Sequence, residues 1–147
     1  MIKIFHTSDV HLGLKFMRAR YSDATRTFLV EARMKTLATM VEMATERQCD
    51  LFVVAGDLFD TTGVPKKLVR DAAEVLRRFE GTVVVLPGNH DYVKANDDTI
   101  WPAFEEQLGE GNILLQGEEP CDLRPNLNCV LFPGVCKAKH SRENAIG

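Results

Sequence analysis

Three short polar stretches carry the residues of this chain whose types and spacing suit chemistry. Asp9 and His11 lie two positions apart in the first stretch. Asp57 lies in the second stretch, and Asn89 and His90 are adjacent in the third. Mixed oxygen and imidazole ligands suit manganese, iron or zinc better than calcium, which takes oxygen ligands. The sequence therefore predicts a site for divalent cations that draws on all three stretches.

Each of these residues has a distinct predicted role. Asp9 and His11 point the same way if the strand end is extended, so the pair can chelate one cation. Asp57 has two oxygens and can bridge two cations, while Asn89 offers a neutral oxygen to the second. Two cations about 3.5–4 Å apart would hold a phosphate and promote in-line attack at phosphorus. His90 is then placed to protonate the leaving oxygen or to stabilise the transition state.

Two further carboxylates lie beside these residues. Asp60 comes three positions after Asp57, and Asp91 directly follows His90. Either carboxylate could hold a metal ligand in place through a hydrogen bond, but capping of a helix or turn is an equal alternative. Asp and Asn are common in turns at strand ends anyway, so capping is also the alternative for the principal residues. The repetition at three strand ends favours the metal site.

Each polar stretch follows a segment that predicts a strand. Residues 2–8 alternate between two faces, whereas Leu51–Ala55 and Thr82–Leu86 are continuous apolar or β-branched runs typical of buried strands. Residues 112–116 and 126–132 predict a fourth and a fifth strand. The polar stretches would therefore all lie at the ends of strands.

Helical spacing of apolar residues predicts three helices, which connect the first four of these strands. The first helix is capped by Ser22 or Thr25 and runs to about Gln48. The second begins at Pro65 and is closed by Gly81. A short third helix covers about residues 99–108, in which Trp101 and Phe104 are expected to be core contacts. The residues expected on the buried side of the first helix are Phe28, Leu29, Ala32, Leu37, Met40, Val41 and Ala44.

The alternation of strands and helices predicts an α/β fold with right-handed βαβ units and a parallel βαβαβ core. Ligands bind beyond the carboxyl ends of the strands in such sheets. Adjacent strands lie about 4.8 Å apart, so their terminal loops can meet although they are distant in sequence. The fold class and the cation site thus support each other.

The bulk composition is that of an ordinary globular domain. The chain has 147 residues, of which 45% are hydrophobic and 27% charged, a length that fits one domain. No apolar run is long enough for a membrane span, so we expect no membrane partner. The four cysteines form no CxxC pair, and reduced thiols and a cytoplasmic location are the corresponding expectation.

The net charge of -3 does not indicate nucleic-acid binding, but the charges are unevenly distributed. Residues 12–35 are predominantly basic, whereas residues 97–122 contain acidic residues and no Lys or Arg. A polyanion would approach the first segment and avoid the second, although a solvated charged surface explains the basic segment equally well. The basic residues are Lys15, Arg18, Arg20, Arg26, Arg33 and Lys35.

Three motifs in this order resemble those of the calcineurin-like metallophosphoesterases. They are Asp-x-His at residues 9–11, Gly-Asp-x-x-Asp at 56–60 and Gly-Asn-His-Asp at 88–91. The fuller forms at residues 5–13 and 56–60 are most similar to the SbcD-type nuclease subunit of DNA double-strand-break repair. Residues 131–134 and 141–144 are also similar to bacterial exonuclease-like relatives. The resemblance covers essentially the whole chain and is strongest up to Asp91.

The resemblance implies a phosphodiesterase that uses two divalent metal ions, most often Mn²⁺, with iron or zinc as alternatives, and that cuts DNA as an exonuclease or endonuclease. It implies that Asp9 and His11 bind the first metal, Asp57 bridges, Asn89 binds the second and His90 is catalytic. The implied fold is a four-layer αββα sandwich. A coiled-coil ATPase partner is implied by the resemblance alone.

The chain departs from the family pattern in its last third. The family completes its site with histidines from a Gly-His and a Gly-His-x-His motif, but the only later histidine here is His140 and no Gly-His occurs. We therefore expect residues 1–147 to be the N-terminal part of the domain, with under-occupied metal sites and weak activity. His140 as a replacement ligand is a minor alternative.

Two other functions stay open at this point. A phosphodiesterase or phosphatase for small or nucleotide substrates would use the same residues. A non-catalytic structural fragment would instead self-associate through the sheet edge that further chain would cover.

Overall fold

A computed structural model describes residues 1–17, 20–93 and 100–139. Strands and helices alternate along most of the described chain, as the sequence predicts. The elements are β1 Ile4–Thr7, α1 Asp23–Glu46, β2 Leu51–Ala55, α2 Lys66–Leu76, β3 Thr82–Leu86, α3 Ile100–Leu108, β4 Ile113–Leu114, β5 Cys121–Asp122, α4 Arg124–Leu127 and β6 Val130–Leu131.

The first four strands form one parallel sheet in the order β1-β2-β3-β4. Consecutive strands are neighbours, and each of the first three is connected to the next through a helix, which is the βαβ arrangement. The predicted α/β class with a parallel core is confirmed. The carboxyl ends of β1, β2 and β3 consequently lie side by side at one edge of the sheet.

One face of this sheet packs on the helices. Phe5 pairs with Phe52 in register, and Phe52 pairs with Val83, so that the three side chains share this face. Phe52 and Val83 are fully buried, and the Phe5 and Phe52 rings stack with their centroids 5.2 Å apart. Residues of α1, α2 and α3 belong to the same hydrophobic cluster, which fixes the sheet against the helices.

Helix α1 begins where the sequence predicts but is buried over only part of its length. The Ser22 side chain accepts a hydrogen bond from the Thr25 backbone N–H (3.2 Å), so Ser22 is the cap. Leu37 is fully buried, whereas Phe28 is 68% exposed. The prediction that Phe28 faces the core is wrong, because the buried residues of the helix all lie in its second half.

Helices α2 and α3 lie close to their predicted positions. Pro65 is the N-cap of α2, and the helix ends at Leu76, earlier than the predicted stop at Gly81. Trp101 and Phe104 of α3 are fully buried, as predicted. Their rings lie 5.8 and 5.7 Å from that of Phe59, so α3 packs on the loop that follows β2.

The segment after β4 differs from the prediction. The predicted fifth strand at residues 126–132 is wrong in its first half, because Arg124–Leu127 forms the single-turn helix α4. Only β6 remains extended, and it pairs antiparallel with β5 in a separate two-stranded sheet. Asn128 follows α4 and has a left-handed φ of 47°. This conformation ends the helix and lets the chain turn towards β6.

Some predictions fall outside the described residues. These concern the basic residue Arg18, the start of the third helix at Thr99, the alternative ligand His140 and the segment 141–144. Within the described part of the chain, no helix has the length and apolar character needed to cross a membrane.

Candidate metal centre

The first polar stretch leaves β1 in a conformation that differs from the predicted extended strand end. Strand β1 ends at Thr7, and Asp9 and His11 have φ angles of 55° and 49°. Both residues lie in the left-handed region that non-glycine residues rarely adopt. The extended geometry expected for this pair is therefore wrong, although the two side chains still converge.

Backbone hydrogen bonds fasten this loop to the one that follows β2. The Asp9 N–H donates to the Gly56 carbonyl (3.2 Å), and the His11 N–H donates to the Asp57 carbonyl (2.9 Å). Gly56 and Asp57 have φ angles of 92° and 54°, so the chain turns sharply as β2 ends. The two loops are thereby held in register beyond the last residues of their strands.

The side chains of these two loops meet at one point. His11 Nε2 lies 3.7 Å from Asp9 Oδ1 and 3.9 Å from Asp57 Oδ2, and ligand atoms of the three residues lie within 4.8 Å of one another. Two atoms that each bind one ion at about 2.0–2.2 Å are about 3–4.4 Å apart. The group Asp9, His11 and Asp57 therefore has the donor types and spacing of a cation site.

Gly88 allows the loop after β3 to approach this group. A Cβ atom at position 88 would lie 2.2 Å from Asp57 Oδ1 and 2.4 Å from the Asp57 nitrogen. The same Oδ1 accepts a hydrogen bond from the His90 backbone N–H at 2.9 Å. The close contact between the second and third loops thus requires glycine at position 88.

Asn89 shares a small cavity with the other candidate ligands. The cavity has a volume of about 260 Å³ and is lined by Asp9, Asp57 and Asn89, among others. Asn89 Nδ2 donates to the Lys139 carbonyl (3.4 Å). Because the nitrogen is the donor in that contact, the amide oxygen is the atom left to bind a cation.

Cys136 also lines this cavity, and the sequence analysis did not identify it. Burial raises the pKa of its thiol, and the charges of Asp57 and Asp91 raise it further. A protonated thiol is a poor metal ligand. The Cys136 carbonyl accepts from the Val93 N–H (3.3 Å), which ties the C-terminal segment to the third loop. Cys136 belongs to no cysteine motif, so only the tertiary fold shows its position.

Asp60 lies behind His11, on the side away from Asp9 and Asp57. Its Oδ1 is 3.3 Å from His11 Nδ1. His11 Nδ1 is buried, and no described residue forms a hydrogen bond of acceptable geometry with it. Orientation of a ligating imidazole by a carboxylate is common in metal sites.

His90 contacts both the His11 ring and the Asp60 backbone. The two rings are in edge-to-face contact with their centroids 4.8 Å apart. His90 Nδ1 is 3.2 Å from the Asp60 carbonyl oxygen. A carbonyl only accepts hydrogen bonds, so this contact requires a proton on Nδ1 and leaves Nε2 as the atom that exchanges protons. His11, Asp60 and His90 form a second group whose potential ligand atoms lie within 4.8 Å of one another.

Asp91 is fully buried and bonded to backbone rather than to a histidine. Its carboxylate accepts hydrogen bonds from the Gly88 N–H (2.6 Å) and the Phe59 N–H (2.9 Å), and its carbonyl accepts one from Trp101 Nε1 (2.6 Å). The sequence left open whether Asp91 supports a metal ligand or caps a turn. In the structure its carboxylate accepts hydrogen bonds from backbone groups, and these bonds join the second loop to the third.

The electrostatics at this end of the sheet favour a bound cation. Burial raises the pKa of Asp91 above its ordinary value, against the hydrogen bonds from Phe59 and Gly88, and the charge of Asp57 adds to the rise. Several carboxylates therefore crowd one region without a described Lys or Arg paired to Asp9, Asp57 or Asp60. A divalent cation bound among these carboxylates would offset their negative charges.

The donor set fits a first-row divalent metal. It combines two carboxylates with one imidazole in the first group, and the Asp60 carboxylate lies 3.3 Å from the buried Nδ1 of His11, where a carboxylate can orient a ligating ring. Such a set suits manganese, iron or zinc. Asp9, His11 and Asp57 would hold one ion, and Asp57 with Asn89 would hold a second.

Two of the described residues of the basic segment, Arg26 and Arg33, are engaged within the protein. Lys15 and Arg20 are exposed, whereas Arg26 is paired with Asp23 in the first turn of α1. Arg33 is partly buried and donates through Nη1 to the Val10 carbonyl at 2.6 Å. Only part of the predicted basic surface is therefore available to a polyanion.

Comparison with known proteins agrees with this geometry. Residues 2–134 match the family model described as calcineurin-like phosphoesterase. The chain belongs to this family. The calcineurin-like phosphoesterases are metal-dependent enzymes, in keeping with the carboxylate and imidazole groups that the structure brings together.

Three curated relatives are DNA double-strand break repair proteins named Mre11. The protein from Aeropyrum pernix is 31% identical over 113 residues, which are 74% of this chain and 25% of that protein. The one from Archaeoglobus fulgidus is 31% identical over 143 residues, covering 91% and 30%. The one from Methanosarcina acetivorans is 29% identical over 111 residues, covering 74% and 16%. The chain thus spans less than a third of the length of each relative.

Proposed function

We propose that this calcineurin-like phosphoesterase chain provides half of a dinuclear metal centre that hydrolyses phosphodiester bonds, with DNA as the substrate. The observation that carries the proposal is the convergence of Asp9, His11 and Asp57, whose ligand atoms lie within 4.8 Å of one another beyond the ends of β1 and β2. The resemblance of the Asp-x-His motif to the family supports the same assignment.

The proposed roles follow from where each side chain lies. Asp9 and His11 would hold the first cation, and Asp57 could serve both cations, because its Oδ2 lies near His11 while its Oδ1 accepts a hydrogen bond from the third loop. Asn89 contributes its amide oxygen from the shared cavity. Two divalent cations, when bound, would neutralise the phosphate charge and activate the attacking water.

His90 is proposed as the general acid. Its Nδ1 proton is directed at the Asp60 carbonyl (3.2 Å), which fixes the ring so that Nε2 delivers the proton to the leaving oxygen. Its backbone N–H bonds to Asp57 Oδ1, so the position of the acid is coupled to that of the shared ligand. Asp60 orients His11 through its carboxylate and His90 through its carbonyl.

The finer assignments belong to the same proposal. Manganese is the proposed metal, since oxygen ligands outnumber nitrogen in the set. DNA is supported by the three repair-protein relatives, and exposed Lys15 and Arg20 would attract its phosphates. A coiled-coil ATPase partner and a reducing cytoplasmic location are proposed from the resemblance and from the four free cysteines.

We further propose that the chain alone binds metal weakly and turns over slowly. Asn89 has no described histidine co-ligand beside it in the shared cavity. A site with few protein ligands leaves each ion incompletely held, so occupancy should depend strongly on the metal concentration.

The test combines metal analysis with hydrolysis. Wild type is titrated with Mn²⁺ by calorimetry and assayed on a bis-aryl phosphate and on duplex DNA at saturating metal. His90→Ala should keep the Mn²⁺ affinity and lower the rate by about 10²–10⁴, the usual contribution of a general acid. Asp57→Asn should weaken both Mn²⁺ binding and hydrolysis.

The outcomes separate the parts of the proposal. Unchanged hydrolysis in His90→Ala contradicts the role of the general acid. Absence of Mn²⁺ binding to wild type at millimolar metal contradicts the metal centre itself. Hydrolysis of the aryl ester without any cleavage of DNA favours a small or nucleotide substrate over DNA.

A further inference from the structure

The side chain of Arg33 crosses from α1 to the loop that carries two of the candidate metal ligands. Its Nη1 donates to the Val10 carbonyl at 2.6 Å. The guanidinium carbon lies 5.1 Å from the centroid of the Phe16 ring, within the range of a cation–π contact. Arg33 is thus held between the ring and the carbonyl of one loop, which is the loop between β1 and α1.

Val10 is the residue between Asp9 and His11, and both neighbours have left-handed φ angles. Such conformations are unfavourable for non-glycine residues and persist only where surrounding contacts hold them. The Asp9 and His11 N–H groups are held on one side by the loop after β2. Arg33 supplies the contact on the other side, through the carbonyl between them.

The environment of Arg33 argues against a role in stability alone. Its Nε is buried, and no described residue accepts a hydrogen bond from it. Burial of a charged group with a donor left unsatisfied costs free energy. A hydrophobic side chain could pack against Phe16 but could not donate to the Val10 carbonyl, so the guanidinium is explained by the carbonyl that it holds.

The geometry points to Arg33 as a positioning residue for the metal centre, an inference that rests on the proposed function. By holding the Val10 carbonyl, Arg33 keeps Asp9 and His11 in the strained conformation that directs both ligands towards Asp57. The described contacts of Arg33 are with the Val10 carbonyl and the Phe16 ring, and none of them is with a ligand atom. Removal of the Arg33 guanidinium should weaken metal binding by Asp9 and His11 in a protein that is still folded.

The experiment uses three variants of the full chain. Arg33→Met keeps the length of the side chain and removes the donor, and Arg33→Lys keeps the charge and one donor without the planar fork. Arg78→Met is the matched control, because Arg78 is an exposed residue of the segment after α2 whose ion pair is with Glu74. Thermal unfolding of the metal-free proteins shows whether each variant is folded.

Manganese affinity is measured by calorimetry and by the electron paramagnetic resonance signal of free Mn²⁺. Arg33→Met should weaken Mn²⁺ binding by about 10-fold to 100-fold, the usual effect of removing a group that orients a ligand. Arg33→Lys should fall between Arg33→Met and wild type, and Arg78→Met should equal wild type. An affinity of Arg33→Met equal to that of wild type would overturn the inference. If Arg33→Met does not fold, the Mn²⁺ affinity of Arg33→Lys tests the inference instead. An affinity of Arg33→Lys equal to that of wild type would then overturn it.

Hydrogen exchange of the metal-free proteins gives a second readout that does not depend on the metal. The His11 amide, bonded to Asp57, should exchange faster in Arg33→Met than in wild type or in Arg78→Met. Faster exchange with unchanged Mn²⁺ affinity means that Arg33 serves the loop alone, which overturns the positioning role. If wild type binds no Mn²⁺, the proposed function fails separately, and the exchange rates alone decide whether Arg33 holds the loop.

Discussion

Asp60 is the residue through which the two histidines of the site are linked. Its carboxylate lies 3.3 Å from His11 Nδ1, and its carbonyl lies 3.2 Å from His90 Nδ1. The carboxylate acts on the proposed ligand, whereas the carbonyl acts on the proposed acid. A substitution of the Asp60 side chain therefore removes the effect on His11 alone, because the carbonyl that contacts His90 remains.

Asp60→Asn should weaken Mn²⁺ binding by about 10-fold to 100-fold, because the amide is a weaker acceptor for the His11 ring and holds it less firmly. The protein should remain folded, since the Asp60 backbone N–H still bonds to the Leu12 carbonyl (2.9 Å). Calorimetric titration with Mn²⁺ measures the effect. Asp71→Asn on the outer side of α2 is the control, and an equal loss there would show that the effect is not specific.

Asp91 has a raised pKa because burial disfavours its charge more than the two backbone N–H groups favour it. The folded chain therefore binds the proton of Asp91 more tightly than the unfolded chain does. Its contribution to stability is fully present below the ordinary value of 3.8 and is lost as pH rises through the raised pKa of the folded state.

The unfolding free energy of wild type relative to Asp91→Asn should accordingly fall as pH rises above 3.8. The asparagine cannot ionise, so it lacks this dependence although it loses one backbone hydrogen bond. Urea unfolding of both metal-free proteins at a series of pH values provides the measurement. A difference that stays constant or grows with pH contradicts the raised pKa.

At the scale of elements, three loops at the carboxyl ends of β1, β2 and β3 form the site. Each loop is fixed to the next by hydrogen bonds. The first loop donates backbone N–H groups to the carbonyls of Gly56 and Asp57, and the second and third loops are joined through the carboxylates of Asp57 and Asp91. The strands set which loops are neighbours, and the glycines set how closely they approach.

Gly88→Ala should separate the second and third loops. The added Cβ would lie 2.2 Å from Asp57 Oδ1, so the carboxylate or the loop must move. We expect a loss of about 1–3 kcal/mol in unfolding free energy, typical of overpacking, together with weaker Mn²⁺ binding.

Gly63→Ala is the matched control, because a Cβ at position 63 meets nothing within 4 Å. Chemical denaturation and Mn²⁺ titration of both variants test the prediction. Equal behaviour of Gly88→Ala and Gly63→Ala would mean that the loops can separate at no cost.

At the scale of the whole molecule, the two faces of the sheet differ. The face that carries Phe52 packs on the helices. On the other face Leu51 and Val84 are buried, but Ile4 of β1 is 57% exposed and His6 is exposed beside it. Strand β1 is also at the edge of the sheet as the described strands are ordered. An apolar residue on an edge strand favours pairing with another chain.

The chain alone should therefore associate with itself as its concentration rises, and Ile4→Lys should reduce this association. A charge on an edge strand opposes pairing. Light scattering after size exclusion, over a range of concentrations, measures the fraction of dimer. Phe28→Lys is the control, because Phe28 is equally apolar and 68% exposed but lies on α1. A wild-type chain that stays monomeric throughout contradicts the prediction.

The sequence by itself determined the order of the elements as far as β4, and it named the residues of the candidate site. Buried strands and amphipathic helices are local patterns, and the polar residues that follow the strands can be seen without coordinates. The placement of Asp57 and Asn89 in one cavity with Asp9 followed from the parallel order of the strands. The α/β fold was predictable for the same reason.

Only the tertiary structure decided how the side chains are aimed and what holds them. Asp9 and His11 converge through left-handed φ angles rather than an extended strand, and such conformations depend on contacts from distant parts of the chain. The position of Arg33 behind that loop has the same origin, because its partner Val10 is 23 residues earlier. Spacing in a sequence predicts which groups can meet, whereas the packing between helix and loop decides their geometry.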